Sequence, residues 1–164
     1  MIKKILITTL ITIFYSIHAF SAGGDGDGGS SKVKTNYEKA VSHIKSAKKY
    51  EKKGKSDKAN NYYKKTIDYF LAYNKQYGVY PDTLYYLGFS YEKIRDIENA
   101  ILYYQIGLEL KPKDINMNKH LAEIYIKKGK FDLANEILEV MKECNCEEYN
   151  TVKEKLVKNS NLIN

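Results

Sequence analysis

The stretch LYYLGFSY, Leu84–Tyr91, packs large apolar and aromatic side chains around a single glycine, Gly88. A glycine inside a helix costs about 1 kcal/mol relative to alanine. Its presence in a helix-forming run therefore asks for a close approach that only a missing side chain permits. Working outward, the segment PDTLYYLGFSYEKIRDIENAILYYQIGLELKPKD (81–114) aligns with INMNKHLAEIYIKKGKFDLANEILEVMKECNCEE (115–148) at a constant offset of 34 residues. Leu87 falls on Leu121, Gly88 on Ala122, Tyr91 on Tyr125, Ala100 on Ala134 and Tyr104 on Leu138. An earlier unit, SAKKYEKKGKSDKANNYYKKTIDYF (46–70), carries Ala47, Tyr50, Gly54, Ala59 and Tyr63 in the same order, but Ala59 lies 41 residues before Ala100. The extra residues fall in LAYNKQYGVY (71–80), so the second helix of this unit is expected to run on, with Ser56 as its N-cap. Tyrosine recurs at helical rather than alternating spacing, and no convincing strand is present.

A helical repeat of about 34 residues is the period of the tetratricopeptide repeat (TPR). Segment 81–114 resembles that family at Leu84, Leu87, Gly88, Tyr91, Ala100, Tyr104, Gly107 and Pro112, with Leu84 where the family often has tryptophan. Segment 115–148 keeps Leu121, Ala122, Tyr125, Gly129, Ala134 and Leu138, and has Cys146 where proline is usual. The resemblance implies an all-α, right-handed superhelical stack of about three helix pairs, at about 40–80, 81–114 and 115–148 within a domain of 35–164. A stack exposes its last apolar face, so a capping helix is expected at about 147–159, where Tyr149, Val152, Leu156 and Val157 share one side. In this arrangement Gly88 and Ala122 let the paired helix approach, with Ala100 and Ala134 as their counterparts, and a bulky side chain at Gly88 should splay the pair.

The N-terminus reads differently. Lys3 and Lys4 precede the uncharged run ILITTLITIFYSIHAF, interrupted by Thr, Ser and His, and small residues follow at Ala19, Ser21 and Ala22. This is the pattern of a cleaved signal peptide over 1–21, cut before or after Ala22, in preference to an uncleaved anchor. Export to the periplasm is the implied location. Residues 22–34, beginning AGGDGDGGSS, are too glycine-rich to bury apolar surface and read as a flexible linker; Asp25 and Asp27 lack the further oxygen ligands of a calcium loop. Cleavage would lower the formal charge from +7 to +5. Arg95 is the single arginine, and arginine is the residue that base reading and bidentate phosphate capture favour. The basic balance therefore reads as solvated helix surface rather than a nucleic-acid site, with peripheral attraction to an anionic membrane or wall polymer as the weaker reading.

No nucleophile–base constellation, zinc-protease motif or phosphate-cradling glycine loop is present, so the chain reads as non-enzymatic and without a cofactor. His120 and His43 show no ligand spacing and read as packing or surface residues. Cys144 and Cys146 are the only cysteines. Three readings compete for them: a disulfide at the turn before the cap, two small free residues, or a redox or metal pair that would need further ligands.

By the TPR resemblance, a peptide or protein partner would lie along the first helices. The implied groove positions are Val41, Ile44, Lys48, Glu51 and Lys52; Asp82, Tyr85, Phe89, Glu92 and Lys93; and Asn116, Lys119, Glu123, Ile126 and Lys127. Tyr85 and Phe89 are the aromatic anchors of this set, or else they pack on the preceding helix. The lysine–asparagine pair of the carboxylate clamp is not matched, since Lys48, Phe89 and Glu123 occupy the asparagine position. The layout also resembles a group of short exported TPR proteins of alphaproteobacteria at Tyr37–Val41, Leu84–Lys93 and Cys146–Tyr149. These readings give a periplasmic adaptor first, a structural or self-associating homo-oligomer second, and a redox or metal protein third.

Overall fold

The computed structural model describes residues 35–160, so the segments read as signal peptide and linker lie outside the described residues. The described residues belong to one compact unit, Val33–Asn164. They form α1 (Asn36–Lys52), α2 (Ser56–Tyr77), α3 (Pro81–Lys93), α4 (Ile97–Leu110), α5 (Ile115–Lys127), α6 (Phe131–Met141), a short 3-10 turn (Lys142–Cys144) and α7 (Glu147–Ser160). No strand occurs among them. Consecutive helices pack as the pairs α1–α2, α3–α4 and α5–α6, each against the next, and α7 lies on α5 and α6.

Local chemistry explains most boundaries. Thr35 caps α1 in a reciprocal box: the Glu38 N–H donates to Thr35 Oγ1 at 3.2 Å and the Thr35 N–H donates to Glu38 Oε2 at 2.8 Å. Asp114 opens α5 by accepting from the Met117 N–H at 3.0 Å. Pro81 stands at the first position of α3, where its missing N–H costs nothing. The seven residues that lengthen the first unit extend α2 to 22 residues, and Gly78 ends it at φ 91°. Ser56 corrects one expectation. It is the first residue of α2 rather than its cap, and Lys55 precedes it without a side-chain cap bond.

The turn inside each pair is one structure built three times. Gly54, Arg95 and Gly129 sit at φ 66°, 67° and 69°, and each N–H bonds the carbonyl three residues back. The following residues, Lys55, Asp96 and Lys130, each bond the carbonyl five residues back, at Tyr50, Tyr91 and Tyr125. Glycine suits this left-handed position; Arg95 bears a steric cost there. Asp96 in turn accepts from the Asn99 N–H at 3.3 Å, capping α4.

Apolar side chains fill the space between pairs. Ala40, Ile44, Ile67, Phe70 and Leu87 join α1 and α2 to α3, while Ala47, Ala59, Tyr63 and Phe89 form a second cluster. The largest cluster runs from Ala100 and Tyr104 through Met117, Leu121, Ala122, Tyr125, Ala134 and Leu138 to Val152 and Leu156 of α7. Leu84 is buried and Tyr91 half-buried beside these clusters. A Cβ on Gly88 would lie 2.7 Å from two ring carbons of the fully buried Tyr104, so the helix crossing depends on glycine. A Cβ on Gly107 would meet the Met117 sulfur, the end of a flexible side chain. Pro112 does not pack between repeats: it is exposed in the α4–α5 turn, where its carbonyl accepts from Asn118 Nδ2 at 2.9 Å.

Candidate interaction face

The first helices α1, α3 and α5 carry the implied groove positions, and their side chains divide into two kinds. The glutamates are satisfied within the fold. Glu51 accepts from the Tyr63 hydroxyl at 2.9 Å and from Lys93 at 2.6 Å. Burial pushes the Glu51 carboxyl up, but the bonds from Lys93 and Tyr63 outweigh it and hold the group below the ordinary carboxylate range. Glu92 accepts from the Tyr104 hydroxyl at 3.1 Å and lies 2.9 Å from His120 Nδ1. Its carboxyl is also depressed: burial raises it, and His120, Tyr104 and the Lys127 charge together lower it further. Burial beside these carboxylates pushes the Tyr63 and Tyr104 phenols far up, so both remain hydrogen-bond donors. Glu123 pairs with Lys155 of α7 at 2.7 Å.

The Glu–Tyr bond is thus a repeated device. Glu51 with Tyr63 and Glu92 with Tyr104 are each twelve residues apart. The equivalent residues of the third pair are Ile126 and Leu138, both buried, so an apolar contact replaces the hydrogen bond there.

The aromatic residues form the centre of the face. Phe89 is only 7 % exposed. Its ring meets Tyr63 edge-on at 5.9 Å and His120 at 5.6 Å, and the Lys48 and Lys93 ammonium groups stand over it at 4.9 and 5.3 Å. Of the two readings of Phe89, the structure takes the second: it packs between pairs and is not a free anchor. Tyr85 is half-buried against Tyr86, Phe89, Tyr104 and His120. Ile44 and Ile126 are likewise buried.

His120, read from the sequence as a packing or surface residue, packs among the aromatic rings, but its contact with Glu92 was not foreseen. Its ring stacks on Tyr104 at 5.6 Å and 15° while Nδ1 meets Glu92. The approach is short but poorly aligned, because Nδ1 has no well-directed hydrogen bond among the described residues. We therefore treat it as an electrostatic contact. The usable signal was that His120 follows groove position Lys119 on α5 and so faces the aromatic residues of α3.

The remaining groove cations are unspent. Lys48, Lys52, Lys119 and Lys127 make no ion pair among the described residues. Asp82 is exposed at the start of α3. The surface is therefore an aromatic and carboxylate floor edged by ammonium groups outside any ion pair among the described residues. No group of three or more His, Cys, Asp or Glu side chains among the described residues is placed to hold a metal ion.

Residues 82–106 match the tetratricopeptide repeat family model. The match covers α3 and most of α4, the pair that contains Gly88, Tyr104 and Glu92. With the same turn repeated in the pairs before and after it, the described unit is a TPR-like helical stack. No curated protein matches the chain. Elsewhere in the TPR-like stack, Cys144 and Cys146 are joined by a disulfide in the turn before α7. No described helix is long and apolar enough to cross a membrane.

Proposed function

We propose that this TPR-like protein is a non-enzymatic interaction module, exported to the periplasm, that binds a peptide or protein partner along α1, α3 and α5. Its resemblance to short exported TPR proteins supports the location. The observation that carries the reading is the uneven state of the groove charges. Glu51, Glu92 and Glu123 are engaged inside the fold, while Lys48, Lys52, Lys119 and Lys127 make no ion pair among the described residues. Such a rim is left for a partner to complete.

The test follows from the burial pattern. Phe89→Ala would cut into the core, so Lys52→Glu/Lys119→Glu/Lys127→Glu is the better probe. Cross-linking and capture from the native periplasm should recover a partner with the original protein and lose it with this variant, at unchanged helicity. Capture that survives all three substitutions would move the site off this face.

A second reading, self-association, has one observation in its favour. Leu102, Leu110 and Val140 are 48, 54 and 45 % exposed on the second helices. A sedimentation coefficient that stays monomeric at tens of micromolar protein would exclude it.

A further inference from the structure

The positive charge of this chain is concentrated at one end of the stack. Residues 35–80 hold eleven lysines and four acidic residues, whereas residues 81–164 hold twelve basic and fourteen acidic residues. None of those eleven lysines makes an ion pair among the described residues, and Glu51 takes its cation from Lys93 of the second pair. Lys45, Lys48, Lys49, Lys52 and Lys53 are exposed along α1, Lys55 in the turn, and Lys58, Lys64 and Lys65 on α2. Lys45 and Lys49 of α1 and Lys53 at its C-cap recur every fourth residue.

The same end carries an unusual aromatic column. Tyr50 stacks on Tyr62 at 5.4 Å and 10°, Tyr62 meets His43 at 5.6 Å, and His43 stacks on Tyr69 at 5.3 Å and 15°. The equivalent pair one repeat later, Tyr91 and Tyr103, packs against the cluster of Ile67, Phe70 and Leu87. Among the described residues no helix precedes α1 to cover Tyr50 and Tyr62 in that way. Lysines take that place instead: Lys58, Lys65 and Lys39 stand 5.7, 5.6 and 5.6 Å over Tyr50, Tyr62 and Tyr69. The ring faces are thus occupied by one another and by ammonium groups. This disfavours a nucleobase or sugar, which would need a free face to stack on.

We propose that the first helix pair docks on the surface of an anionic lipid bilayer. Lys45, Lys48, Lys49, Lys52 and Lys53 border one open hollow beside α1, and Lys55, Lys58, Lys64 and Lys65 lie exposed in the turn and on α2, so a linear acidic segment in the hollow would meet only the first group, whereas a sheet of headgroups meets many of both. Clusters of four to eight lysines on a helical surface suffice for attachment to anionic lipid. Tyrosine edges and long lysine stems are the side chains that settle at the headgroup level. This docking lies beyond the partner-binding reading and rests on Lys45, Lys49 and Lys53, none of which is among the implied groove positions.

The experiment uses protein begun at Ala22, which retains the whole folded unit and lacks the apolar segment that would itself enter lipid. Vesicles of phosphatidylcholine with about a third phosphatidylglycerol should sediment the protein, vesicles of phosphatidylcholine alone should not, and binding should fall steeply as salt rises. Lys45→Gln/Lys49→Gln/Lys53→Gln should weaken binding by about a hundredfold, at roughly fivefold per lysine. Lys128→Gln/Lys130→Gln/Lys158→Gln makes the same change in net charge at the other end and should bind nearly as the parent does. Equal loss in the two variants would overturn the proposal, as would equal binding to neutral vesicles. So would displacement by millimolar inorganic phosphate at constant ionic strength, or binding of a polyglutamate peptide through Lys45, Lys49 and Lys53 without vesicle binding.

Discussion

Replacing Lys130 by aspartate should stabilise the protein. The three intra-pair turns share one backbone, with Lys55 at φ −93°, ψ 67°, Asp96 at φ −84°, ψ 77° and Lys130 at φ −89°, ψ 64°. Only Asp96 supplies a capping oxygen, to the Asn99 N–H at 3.3 Å. At the other two turns a cation stands instead at the positive end of a helix. Supplying the cap is worth about 1 kcal/mol, and reversing the charge there about 0.3–1 kcal/mol more. Lys130 is exposed and makes no ion pair among the described residues, so little is lost in the exchange. The expected gain is about 1–2 kcal/mol, or a rise of roughly 3–8 °C in the midpoint for a unit of this size. Thermal and urea melts followed by circular dichroism would measure it. Lys55→Asp should act alike, and Asp96→Lys should lose a similar amount. If Lys130→Asp and Lys55→Asp leave the midpoint unmoved or lower it, the equivalence of the three turns does not govern their energetics and the reasoning fails.

Three further outcomes are expected. Gly88→Leu should destabilise by about 2–4 kcal/mol because Tyr104 cannot retreat, while Gly107→Ala should change stability by less than about 1 kcal/mol, since the Met117 side chain can rotate away; equal costs in urea melts would contradict the contrast. Phe89→Ala should cost about 3 kcal/mol or more, as removal of a buried ring does, and a loss below about 1 kcal/mol would show the ring to be exposed in solution. The Glu92 carboxyl is depressed in the fold, so its contribution is present above the unfolded value of about 4.3 and disappears as pH falls through the folded value. Stability should therefore begin to drop as pH falls below about 5, and the drop should be shallower in Glu92→Gln; an identical profile in the variant would remove Glu92 from the account.

The repeat architecture was legible because it is written in side-chain size at fixed intervals. Gly88 above Ala122, and Tyr91 above Tyr125, need no structure to be seen, and the insertion in 71–80 could only lengthen a helix or loop out. What sequence could not resolve is how near neighbouring first helices stand. That distance decides whether Phe89 is a handle or a filling, and it is fixed by Tyr63 and His120 from two other helices. The Glu92–His120 contact was hidden for the same reason: its members lie on α3 and α5, and only the stacking of one pair on the next brings them together. Ser56 was misplaced because a good capping side chain one residue late cannot cap, and a single residue is within the blur of any helix boundary read from pattern. Pro112 matched a family position, yet position alone did not distinguish ending a helix from packing beside one.

The docking of α7 has a consequence for length. Val152 and Leu156 of α7 are buried, α7 packs on α5 and α6, and its Lys155 is tied to Glu123, so no further helix pair can stack on that face while α7 remains. The face therefore acts as a ruler with three graduations, α1, α3 and α5. Neighbouring helices stand about 8–10 Å apart and each is about 10 Å wide, so the ruler measures about 30 Å. An extended chain advances about 3.3 Å per residue, so under the partner-binding function proposed above a segment spanning all three helices would be about nine residues long.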